Sequence, residues 1–153
     1  MRRLPALSGV LLLVATVAAC GRAEPGAGPA LCSPTYEPRE LVSRGPVQPS
    51  LPSISGRPEM HPPGETRTTD AATIKKIAAA ACSLPTPPQD LACTLELGPS
   101  YELRFLDTQG RTTTVTAAGF GCQFVEGLGS RRYDAKPLWE ALAAAGLPAP
   151  PPR

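Results

Sequence analysis

Ten of the chain's twenty prolines fall within residues 21–69. Proline fixes φ and carries no backbone N–H, so it interrupts both helices and sheet ladders. The same stretch has almost no hydrophobic period. Such a segment cannot bury enough apolar surface to offset the entropy lost on ordering. It reads as a partly extended tether over residues 20–69, with Leu41, Val42, Leu51 and Ile54 as the isolated apolar residues that would touch a domain. The folded unit is then confined to residues 70–147, and 148–153 form a disordered, proline-rich tail.

Within 70–147 the elements follow from pattern and punctuation. Ile74, Ile77, Ala78 and Ala81 keep the i, i+3, i+4, i+7 spacing of one helical face. Asp70 suits the N-cap, and Pro85 ends the helix near Cys82. Tyr101, Leu103 and Phe105 alternate with Glu102 and Arg104, which is strand spacing. Residues 107–110 make a turn, and Thr112 to Thr116 is a β-branched run. A third strand is expected over Cys122 to Glu126, after a bend at Gly119 and Gly121. The last helix runs from about 134 to 145, with Asp134 as cap and Pro137 in its first turn. Gly146, Leu147 and Pro148 suit a Schellman stop. The expected fold is α+β: a small antiparallel three-stranded sheet flanked by two helices, in the order α-β-β-β-α. A core of that size needs further fastening.

The N-terminus carries an address. Met1-Arg2-Arg3 is positive, residues 4–19 are mainly apolar, and no acid precedes Glu24. That is the order of a secretory signal, with an apolar run too short to span a membrane comfortably. Its end, Val17-Ala18-Ala19-Cys20, resembles the bacterial lipobox. The resemblance implies removal of residues 1–19, a diacylglycerol on the Cys20 thiol and an extracytoplasmic protein anchored to the membrane. Each buried acyl CH₂ contributes about 0.8 kcal/mol, so two or three chains hold firmly. Pro5 stands where a twin-arginine signal wants a bulky apolar residue. Losing Arg2 and Arg3 also leaves thirteen basic and thirteen acidic residues. A near-neutral, well-mixed chain has no electrostatic footprint for nucleic acid.

Four cysteines remain: Cys32, Cys82, Cys93 and Cys122. An even number in an exported chain reads as disulfides, and three pairings exist. Hairpin register favours Cys93–Cys122. A turn at 107–110 sets Leu103 opposite Thr114 and leaves Cys93 two positions out of line with Cys122. One bulge at Gly119-Phe120-Gly121, or a shift at Gly98-Pro99, closes that gap. Cys32–Cys82 then pins the tether to the end of the first helix.

The set formed by Cys93, Tyr101, Leu103, Phe105, Gly110-Arg111, Gly121-Cys122, Val125, Leu138-Trp139 and Leu142 resembles small actinobacterial secreted lipoproteins of unknown function. That resemblance implies no activity. A second resemblance is to the Streptomyces subtilisin inhibitors. It rests on the cysteine-bearing helix Ala79-Ala80-Ala81-Cys82 and on Cys93-Thr94-Leu95-Glu96. It implies an inhibitor of secreted proteases, with Leu95 facing the protease. The short sheet region and the Trp139-containing helix depart from that family.

Catalysis needs a nucleophile with a base, paired acids or a metal cage. The single histidine, His61, lies beside two prolines in the tether, and no C-x-x-C pair exists. Asp107 reads as a turn residue, Glu102 and Glu126 as exposed strand residues, and Ser130 has no partner in the pattern. No enzyme, cofactor or metal is expected, and a binding module for a protein or peptide partner is. An exposed apolar patch or pocket favours binding. A wholly polar Thr/Glu/Arg sheet face suits a passive surface module.

Overall fold

The computed structural model describes residues 30–47 and 64–151. Cys20, the export segment and His61 lie outside the described residues. The elements are β1 (Pro38–Val47), β2 (Glu65–Thr68), α1 (Ala71–Cys82), β3 (Ser100–Asp107), β4 (Thr112–Ala118), β5 (Val125–Glu126) and α2 (Lys136–Ala144). All strand pairs are antiparallel, in the order β2-β1-β3-β4-β5. The class is α+β with an antiparallel sheet and two helices. The sheet has five strands rather than three, and the chain order is β-β-α-β-β-β-α.

Both added strands come from the stretch read as tether. Leu41, Ser43 and Gly45 of β1 are buried between β2 and β3. Prolines are tolerated there because they sit at the strand's irregular ends. Pairing with β3 shifts register between Pro38 and Glu40 and again between Arg44 and Val47, the segment holding Pro46.

The β3–β4 register also differs by one residue. Leu103 pairs with Val115 rather than Thr114. Asp107 N–H donates to Arg111 C=O at 3.0 Å, and Gly110 has φ +79°. The connection is thus a three-residue loop ending in a left-handed glycine. A one-residue slip turns every side chain over. The observed register puts Leu103, Val115 and Ala117 inside and Thr112, Thr114 and Thr116 outside.

The helices cover the inner face. Ile74, Ile77, Ala78 and Ala81 of α1 are buried, as are Leu138, Trp139 and Leu142 of α2. They complete a core with Leu41, Leu103, Phe105, Val115 and Val125. Asp70 caps α1, its Oδ2 accepting from Thr73 N–H at 3.0 Å. Asp134 does not cap α2. Ala135 holds that position without a side-chain bond, and Asp134 sits at φ +55°. The Schellman stop forms: Gly146 N–H reaches Ala143 C=O and Leu147 N–H reaches Leu142 C=O, both at 3.0 Å. The chain then continues without regular structure, yet Ala149 packs against the core and Pro150 stays half-buried.

The outer face is polar. Glu65 accepts from Arg44 at 2.8 Å and from Arg67 at 2.7 Å, and Arg67 also reaches Glu40 at 3.2 Å. Exposed pairs of this kind are screened by water and contribute little to stability. Two disulfides close the fold, Cys32–Cys82 and Cys93–Cys122.

Candidate functional site

The expected third strand is mostly absent, and its place is taken by a platform. Gly121 has φ +56° and Gln123 φ +50°, so the chain turns through 119–123 and only Val125–Glu126 pairs as β5. Gln123 N–H closes this turn on Phe120 C=O at 2.9 Å. Two features lie on either side of it.

One is the stretch 91–99, which has neither helix nor strand structure. Its residues rest on the platform one by one. Cys93 is bonded to Cys122. A Cβ on Gly121 would lie 3.3 Å from Thr94 C=O. Gly98 lies so close to Phe120 that its Cβ would approach the Phe120 Cβ to 2.9 Å. Pro99 C=O accepts from Gly119 N–H at 2.9 Å. Both stems of the loop are therefore tied to four consecutive residues. Between them Leu95 is 102% exposed and Leu97 72%. Among the described residues these are the exposed large apolar side chains. Beside the loop a shallow depression of about 270 Å³ includes Val47, Phe120 and Phe124 in its lining.

The other is a cleft of about 530 Å³ between the platform, the segment leading into α2 and the end of the chain. Leu91, Gln123, Tyr133, Trp139, Pro150 and Pro151 line it, and its walls are mainly apolar. A volume of this size is ordinary for a ligand pocket. Trp139 donates its Nε1–H to Gln123 Oε1 at 3.2 Å. Gln123 and Asp134 are the two non-glycine residues with positive φ among the described residues, and both line the cleft. Asp134 N–H bonds to Cys122 C=O at 3.1 Å, which holds the two strained segments together. Such conformations cost about 1–3 kcal/mol each and concentrate at functional sites.

Of the residues weighed for catalysis, Glu102 and Glu126 share a row across Thr116 on the outer face, and Asp107 sits at the end of β3. Asp107 is fixed in its turn by Gln109, Arg111 and their backbone. Glu102 lies on the outer face of β3, near Arg104. Glu126 pairs with Arg131 at 2.7 Å. Among the described residues no group of three or more His, Cys, Asp or Glu is arranged to hold a metal. No described helix is long and apolar enough to cross a membrane. No protein-family model matches the chain, and no curated protein or solved structure is significantly similar to it.

Sequence reasoning reached Leu95 through the resemblance to protease inhibitors. It missed the cleft, whose lining comes from four separated segments. The single tryptophan, Trp139, was the one available signal.

Proposed function

We propose that this chain is a non-catalytic, extracytoplasmic binding module, anchored through a lipid on Cys20, that offers residues 93–97 as a substrate-like segment to a secreted protease. The observation that carries this reading is Leu95, fully exposed on a loop whose two stems are fixed to one platform. A leucine held in water is disfavoured by its apolar surface, and burial in a partner's pocket recovers that term. An extended segment pairs by its main chain with a cleft edge, while alternate side chains enter pockets. Leu95 and Leu97 are two residues apart and fall on one side of such a segment. The fixed stems remove ordering entropy before the partner arrives, which strengthens binding. The Cys93–Cys122 bridge also holds the N-terminal side of a cut loop in place. The pairing of Cys93, the helix carrying Cys82 and the exposed loop support the likeness to the subtilisin inhibitors. The apolar primary residue selects a protease with an apolar primary pocket.

The test is a titration of subtilisin with the mature, disulfide-bonded protein in detergent. Inhibition at micromolar protein is expected, together with its loss in a Leu95→Asp variant of unchanged melting temperature. No inhibition by the unaltered protein removes the protease reading. Mass spectrometry of the intact native protein tests the anchor, which requires the mass of a diacylglycerol on a chain beginning at Cys20. A chain that keeps residues 1–19, or lacks the lipid, overturns it.

A further inference from the structure

We infer that the cleft between the platform and α2 is a second binding site, which takes a proline-rich segment of an extracytoplasmic partner protein in the polyproline II conformation. This inference is independent of the protease reading and uses different residues. Three observations lead to it.

The first is the mainly apolar surface of the walls. Half-buried Tyr133 supplies the aromatic surface and Leu91 aliphatic surface, while Trp139, only 7% exposed, contributes a small part of its ring. Proline rings pack on aromatic faces, and grooves of this make-up recognise polyproline II helices, which are preformed and lose little entropy on binding.

The second is the polarity of what remains. An indole can only donate, so Gln123 must turn its oxygen to Trp139 Nε1. The two amide N–H groups of Gln123 are left for another acceptor. With the Tyr133 hydroxyl they form a donor set. A polyproline segment presents carbonyl acceptors and no N–H, which is the complement of that set. Asp134 and Glu140 also line the cleft, against one ammonium, Lys136, which lies 4.0 Å from Glu140. The excess of carboxylate suits a basic residue flanking the prolines.

The third is that the chain already uses this chemistry at the same place. Pro150 and Pro151 form one wall of the cleft. A Cβ on Gly119 would lie 3.2 Å from Pro150 Cγ and 3.2 Å from the Tyr101 ring, so this proline packs where platform and aromatic cluster meet. A ligand proline would extend that row.

Trp139 is the single tryptophan of the chain, so its emission reports on the cleft directly. The experiment titrates the full chain in detergent with a blocked hexaproline peptide ending in arginine. A parallel titration uses a glycine–serine peptide of equal length and charge. A saturable change in Trp139 emission at sub-millimolar hexaproline is expected, with none from the glycine–serine peptide. In Tyr133→Ala, binding should weaken about tenfold. The NMR shift of the Trp139 indole N–H serves as a second readout in that variant. No saturable change up to millimolar peptide overturns the site. So does an equal response to the glycine–serine peptide, or sedimentation showing that a second copy of the chain covers the cleft. No protease is present, so failure here is distinct from failure of the inhibitor reading.

Discussion

Trp139 and Gln123 are joined by a 3.2 Å hydrogen bond from the indole N–H to a residue whose backbone sits at φ +50°. The indole is also tilted against Tyr101, with ring centroids 5.2 Å apart. The bond therefore ties α2 to the strained turn, and both side chains line the cleft. A double-mutant cycle with Gln123→Ala and Trp139→Phe should give a coupling of about 0.5–1.5 kcal/mol in urea unfolding. Additive costs would mean that the two side chains do not hold each other.

Gly127 and Gly110 both have positive φ, yet they should respond differently to alanine. Gly127, at φ +94°, lies directly against the Thr114 carbonyl, and an added Cβ would also sit 3.1 Å from Val115 Cα. Those atoms are β4 backbone and cannot move aside. Gly110, at φ +79°, faces open space. Gly127→Ala should cost about 2–5 kcal/mol, from backbone strain plus overpacking. Gly110→Ala should cost only the strain, about 1 kcal/mol. Thermal melts of the two variants check the contrast, and equal losses would contradict the close approach at Gly127.

The parts of this fold that were legible in the sequence are those written in local chemistry. Asp70, the Ile74–Ile77–Ala78–Ala81 face, the Gly146–Leu147 stop and the Tyr101–Leu103–Phe105 alternation each act through near neighbours. β1 was illegible because its buried residues are Pro38, Leu41, Ser43 and Gly45, of which only Leu41 is a strand-forming apolar residue. Gly45 is required there because the Tyr101 ring fills the space a Cβ would take. Tertiary packing thus removed the period on which strand recognition depends. The Cys93–Cys122 pairing was reached from register, but Cys93 is held by the platform and not by a strand. The loop had a sequence marker in Cys93. The cleft had only the single tryptophan, Trp139, because a left-handed Gln123 has no sequence signature and Asp134 has the composition of a helix cap.

The Cys32–Cys82 bridge joins the 3₁₀ turn at Ala30–Cys32 to the last residue of α1. Removing it as Cys32→Ser with Cys82→Ser should lower stability by about 2–4 kcal/mol while leaving the loop at Leu95 clamped. Removing the other bridge, as Cys93→Ser with Cys122→Ser, frees one stem of that loop. Limited proteolysis should then cut the second variant within 91–99 and leave that stretch intact in the first. Equal cutting in both would show that the platform contacts alone fix the loop.

Tyr36 and Asp107 couple the pH response at both ends of the scale. Burial pushes the Tyr36 hydroxyl up to about 12, and the nearby Asp107 charge adds to that shift. A raised pKa in the folded state contributes stability below the unfolded value of about 10. That stability is lost as pH climbs from there toward the folded value. Tyr101, raised by its own burial, falls in the same direction. For Asp107 burial acts upward, but the Arg111 side chain and the N–H groups of Arg111 and Gln109 outweigh it and hold the carboxyl below its usual value. That contribution is present above an unfolded pKa of about 3.9 and is lost as pH falls through the lower folded value. Glu65 and Asp70, also lowered, share the acid limb. Tyr36 Oη has no protein hydrogen-bond partner, so Tyr36→Phe should cost little at neutral pH. It should flatten, without abolishing, the decline between about pH 10 and 12. Asp107→Asn should flatten the acid limb and, by removing its charge from Tyr36, reduce the loss of stability at high pH, though less than Tyr36→Phe does. Urea unfolding across the pH range reads both limbs. An unchanged alkaline decline in Tyr36→Phe would remove Tyr36 as its source.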